Sequence, residues 1–109
     1  MKSSLVTKLE SLSDRHEEVS ALLSDAETAS DPNKFRLLSQ EYAQLDEVVK
    51  VYDGYRRAQE DLAEAKVMLN DPDADVREMA QEEVATAETF MATAEGELQL
   101  LMLPKDPKD

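Results

Sequence analysis

Apolar side chains recur along most of this chain at alternating spacings of three and four, the signature of one helix face. Over residues 4–23 the stripe is Leu5, Leu9, Leu12, His16, Val19 and Leu23, apolar at every position but His16. Residues 32–69 carry Phe35, Leu38, Tyr42, Leu45, Val49 and Tyr52, then Tyr55, Ala58, Leu62, Ala65 and Leu69, and the stripe changes phase near Asp53-Gly54. Glycine costs about 1 kcal/mol relative to alanine inside a helix, so a kink at Gly54 competes with one continuous rod; continuity is the preferred reading. Over residues 74–102, Val76, Ala80, Ala87, Ala94 and Leu101 share one side, flanked by Met79, Val84, Phe90, Met91 and Leu98. No alternating run of β-branched residues bounded by turn residues suggests a strand.

Proline falls where these stripes stop. Pro32 follows Ser30-Asp31, Pro72 follows Asn70-Asp71, and Pro104 and Pro107 stand in the tail, all positions suited to a helix start or stop. The expectation is an all-α single domain over residues 1–109, with helices at about 4–23, 32–69 and 74–102 and a linker tail at 103–109. At 1.5 Å per residue these helices would be about 30, 57 and 43 Å long. Short connections make sequence neighbours antiparallel. The lengths therefore predict an antiparallel three-helix bundle, from which the second and third helices extend as a long coiled-coil-like hairpin arm ending at Asn70-Asp71-Pro72-Asp73. Alanine at 58, 65, 80 and 87 makes that arm slender, and its exposed stripe is a candidate for self-association.

Charge narrows the classes of partner. The 109 residues hold 12 Lys+Arg against 25 Asp+Glu, a formal net charge of -13, which disfavours binding of DNA or of phosphate backbones over the whole surface. Residues 71–109 concentrate the imbalance, with three basic and eleven acidic side chains. The absence of cysteine removes disulfides and thiolate metal sites and makes a reducing cytoplasm the expected location. No apolar run reaches the roughly 18 to 20 residues of a membrane span, so no membrane association is expected.

Reactive chemistry finds little support. Asp71, Asp73, Asp75 and Glu82 copy positions 1, 3, 5 and 12 of a calcium loop, but the sixth position needs glycine and is Val76, while Pro72 opens a helix; helix capping and dipole compensation explain these acids better. The single histidine, His16, precludes two-histidine metal motifs within one chain and occupies a stripe position at the edge of the core. The two glycines, 42 positions apart, cannot build a phosphate-cradling loop, and no serine stands on a nucleophile turn. Neither catalysis, a metal nor a cofactor is expected. Two sets of residues stand out as partner contacts: the acids Asp71, Asp73 and Asp75 at the arm's tip, and Tyr55 with Arg56 and Arg57, which join an aromatic ring to the basic concentration that Lys50, Arg56 and Arg57 give the second helix.

Three segments also resemble a known family. Ser39-Gln40-Glu41-Tyr42-Ala43-Gln44-Leu45, Asp71-Pro72 leading to Arg77-Glu78-Met79-Ala80-Gln81, and Leu100-Leu101-Met102-Leu103-Pro104-Lys105-Asp106-Pro107 resemble the N-terminal helical domain of bacterial class I peptide chain release factors, among them the release factor one type that reads UAA and UAG. The opening Lys8-Leu9-Glu10 and Arg15-His16-Glu17-Glu18-Val19 fit as well, so the resemblance spans the chain. It implies a role in translation termination in the cytoplasm, with the ribosome, at the factor-binding region of the large subunit, and the class II release factor as partners. The family's glutamine methyltransferase would act on a part of the factor beyond these residues. Gly54 and Gly96 are followed by Tyr55 and Glu97, so no residue here inherits the family's Gly-Gly-Gln hydrolysis loop or its codon-reading loop. The chain is therefore expected to be a domain excised from a longer protein. A rival reading is a self-contained acidic helical-hairpin adaptor or chaperone that clasps a basic protein; it would need no stiff exit such as the one that follows Leu103.

Overall fold

The structure is a computed structural model that describes residues 1–104. Within them the chain is all-α: α1 spans Ser3–Leu23, α2 Ala26–Ala29, α3 Pro32–Met68 and α4 Ala74–Leu101, with no strand among the described residues. Gly54 lies inside α3, which continues unbroken on either side of it. The predicted tail falls largely outside the described residues, which end at Pro104.

The short helix α2 occupies a stretch the periodicity leaves as a connection. Asp25 caps it, its side chain accepting the Glu27 backbone N–H at 3.0 Å, and the Ser30 hydroxyl donates to the Glu27 carbonyl at 2.8 Å. One turn is too short for an apolar period to register, so only the capping chemistry marks it. Asp31 then accepts the Lys34 N–H at 3.2 Å, with Pro32 in the first helical position, where its missing N–H removes no bond.

Two compact units divide the chain, one over Met1–Lys50 and one from Val51 onward, the division falling within α3. In the first, Val19, Leu38 and Leu45 form a buried cluster against which Leu12, Leu22, Leu23 and Tyr42 pack. The stripe of α1 thus meets the opening of α3. Polar groups fix their register: Arg15 donates to both carboxylate oxygens of Glu41, from Nε at 2.6 Å and from Nη2 at 2.7 Å, a fork geometry that a lysine cannot reproduce. This hydrogen bonding holds the Glu41 carboxyl below its ordinary range, against partial desolvation, and raises the Arg15 guanidinium further above its own. At the next residue of α1, His16 Nε2 lies 3.1 Å from Asp46 Oδ1 and the imidazole stacks on Tyr42, with ring centroids 4.8 Å apart and planes at 24°. His16 is accordingly a packed residue at the core edge.

The second unit is an antiparallel helical hairpin made by the later part of α3 and by α4. Ala58 and Ala65 on α3, and Ala80, Ala87 and Ala94 on α4, are all buried, and within each helix they recur every seven residues. Small side chains at a heptad position let two helices approach closely and keep one seam facing the partner over several turns. Tyr52, Tyr55 and Leu98 are buried as well.

Candidate protein-docking surface

Both candidate residue sets lie in the second unit, the acids at its turn and the tyrosine and arginines on α3. α3 ends in tight bonds, Asn70 N–H to the Val67 carbonyl at 3.2 Å and Asp71 N–H to that of Met68 at 3.1 Å. Beyond them each acid takes on a local task. The Asp71 carboxylate accepts the Asp73 N–H at 2.9 Å across Pro72, and Asp73, the N-cap of α4, accepts the Asp75 N–H at 2.9 Å. Asp75 stands in the first turn of α4, where the helix dipole favours negative charge. Arg77 reaches back over this turn, Nη1 donating to the carbonyls of Asp71 at 2.7 Å and Pro72 at 2.9 Å. The turn is therefore a pre-organised acidic tip. Asp73 and Asp75 are exposed and Asp71 half-buried, and each carboxylate retains lone pairs directed at solvent. Among the described residues no group of three or more His, Asp or Glu is placed to hold a metal ion.

The tyrosine of the second set is placed differently from the open position its basic neighbours suggest. Tyr55 is 7% exposed, on the buried face of α3 that also carries Tyr52 and Ala58. It offers no ring face to a partner. Arg56 lies over the Tyr52 ring, its guanidinium carbon 4.6 Å from the centroid, and donates to Asp53 Oδ1 at 2.6 Å. Only Arg57 of the three is fully exposed.

Arg57 opens instead onto a feature that periodicity alone does not reveal, a shallow groove between α3 and α4. Gly54, Ala58 and Ala87 contribute to its apolar lining together with Phe90, Met68 and Met79, and Asp61, Glu64, Glu82 and Glu83 add carboxylates from both helices. Met68 and Met79 are 44% and 62% exposed, and Phe90 is 52% exposed. The Ala seam explains the exposure: once small residues have brought the helices together, the larger flanking side chains no longer fit between them. A missed signal was present in the sequence, since Met79, Glu83, Thr86 and Phe90 follow a 4-3-4 spacing of their own, offset from the alanine heptad.

A family model described as PCRF domain matches residues 12–109. The chain belongs to this family, the N-terminal helical domain of peptide chain release factors. Its role accordingly lies in translation termination of the release-factor type, and interaction with the ribosome follows in general terms from membership. No helix among the described residues is long and apolar enough to cross a membrane.

Proposed function

We propose that this chain is the ribosome-facing accessory domain of a cytoplasmic class I release factor of the UAA- and UAG-reading type, and that it performs no bond chemistry itself. The stop-codon type rests on the resemblance of the segments around Tyr42, Asp71-Pro72 and Leu103-Pro104. Its contacts are with the factor-binding region of the large ribosomal subunit and with the class II release factor, while the glutamine methyltransferase acts elsewhere in the full-length factor.

The observation that carries the docking role is the acidic tip. Asp71, Asp73 and Asp75 are gathered within five residues and held in place by capping bonds and by Arg77, so their charge is presented at little further entropic cost. Ribosomal proteins are commonly basic, and a fixed acidic tip would steer such a surface into register and raise the rate of encounter. Arg56 and Arg57 border the same hairpin as secondary contacts, with Tyr55 supporting them from the core. The test is the rate of association of the chain with ribosomes. Asn at positions 71, 73 and 75 keeps the capping acceptors and removes the charge, and it should slow association several-fold at low salt. Unchanged rates would exclude the tip as the docking element.

A further inference from the structure

We infer that the groove between α3 and α4 in the second unit is a docking site for a basic amphipathic helix of a protein partner, a contact separate from the acidic tip and independent of the ribosomal reading. The groove has two properties that rarely coincide on a helix pair with no partner. Its apolar side chains are large and exposed: Phe90, Met68 and Met79 all stand between 44% and 62% accessible. Exposed methionine adapts its shape to incoming side chains, and an aromatic ring supplies the anchor such interfaces use. The second property is charge. Asp61 and Glu64 on α3 and Glu82 and Glu83 on α4 line the groove, whereas Arg57 is the one cation lining it among the described residues. None of these four carboxylates forms an ion pair or hydrogen bond with a described residue.

The dimensions fit a helix. From Gly54 to Met68 the α3 wall follows positions 54, 57, 61, 64 and 68, a continuous helix face about 21 Å long at 1.5 Å per residue, or about four turns. An occupant of that length would place apolar side chains at i, i+3, i+4 and i+7 over Phe90 and the methionines. Lysine or arginine on its flanks would meet the carboxylates from either side. A second copy of this chain is the poorer occupant. Its formal charge of -13 would bring carboxylates onto carboxylates, and its hairpin has no basic stripe to offer.

The probe is a fluorescein-labelled 18-residue peptide with leucines on one helical face and lysines on the other. Two controls accompany it, one with glutamate replacing every lysine and one with the same composition scrambled to destroy the apolar face. Binding is read by anisotropy, and its place by the methyl resonances of 13C-methionine, with Met1, Met91 and Met102 as internal references. The expected result is saturable binding of the basic amphipathic peptide, at least tenfold tighter than either control, with shifts confined to Met68 and Met79. Phe90→Ala and the pair Glu82→Gln with Glu83→Gln should each weaken it at least fivefold while leaving the circular dichroism spectrum unchanged. Equal binding of the scrambled peptide would reduce the effect to net charge and overturn the proposal, as would shifts at the reference methionines. Dimerisation of the chain in sedimentation equilibrium that Phe90→Ala abolishes would assign the groove to a second copy and overturn it too.

Discussion

Gly54 lies so close beneath the Phe90 ring that a β-carbon at position 54 would stand 3.3 Å from Phe90 Cζ and 3.4 Å from Cε1. The glycine that looks from sequence like a helix weakness is therefore a place where α3 receives an aromatic side chain of α4. Two terms of opposite sign meet at this position. Alanine would gain about 1 kcal/mol of helix propensity, but its methyl group must push the ring outward by a few tenths of an ångström. Because Phe90 is half-exposed, the ring has room to yield. Gly54→Ala should stabilise the chain by less than the full increment in the wild-type background and by the full increment, about 1 kcal/mol, when Phe90 is alanine. A double-mutant cycle in urea measures the difference, and strict additivity would show that the contact carries no energy.

Gly96 provides the comparison. An added β-carbon there has no neighbour within 4 Å, and the residue sits inside α4. Gly96→Ala should raise stability by about 0.5–1 kcal/mol with no dependence on Phe90, as urea midpoints would show.

The alanine seam should resist enlargement. Ala65 is 0% and Ala80 1% exposed, so leucine at either position has no space without parting the helices. Each substitution should cost about 1–3 kcal/mol in urea unfolding. Tyr55→Ala should also destabilise, by about 3 kcal/mol or more, through the cavity it leaves. A variant that kept its melting temperature but lost binding would instead return Tyr55 to the surface.

The Arg15–Glu41 fork has a pH signature. The carboxyl of Glu41 ionises below its ordinary range because the guanidinium bonds the charged form, so the fork contributes fully at neutral pH and above the ordinary glutamate value of about 4. The contribution is lost as pH falls through the lowered native value. Both side chains are more than a third exposed, so solvent screens the pair and the effect is modest. Glu41→Gln should melt below wild type at pH 7, and the gap should close progressively under acid conditions. A gap that widened on acidification would reverse the assignment.

Much of this was legible beforehand, and what was missed shares a physical cause. The stripe positions Val19, Leu38 and Leu45 form the buried cluster, and the alanines at 58, 65, 80 and 87 form the seam, because one helical period determines which face each residue takes. The Arg15–Glu41 fork joins residues 26 apart, and Arg77 reaches six residues back to a carbonyl; neither distance belongs to a local rule. Helix α2 is a single turn, too short for an apolar stripe to repeat. The site divided along the same line. Asp71, Asp73 and Asp75 come together at a turn because proline and capping are local chemistry, and Tyr55 is buried where its place on the stripe puts it, while its neighbour Arg57 is exposed. The groove stayed hidden because periodicity says which residues flank a seam but not whether the seam is wide enough to cover them.

Ribosome association tests the docking role of the acidic tip most directly. Stopped-flow mixing of the labelled chain with ribosomes, at roughly 0.05 M and 0.3 M salt, should give a rate that falls with salt as the screening length shortens. The variant carrying Asp71→Asn, Asp73→Asn and Asp75→Asn should associate several-fold more slowly at the lower salt and lose most of the salt dependence, with its helicity intact. Rates that ignore both salt and the three substitutions, or an absence of ribosome binding by the wild-type chain, would contradict it.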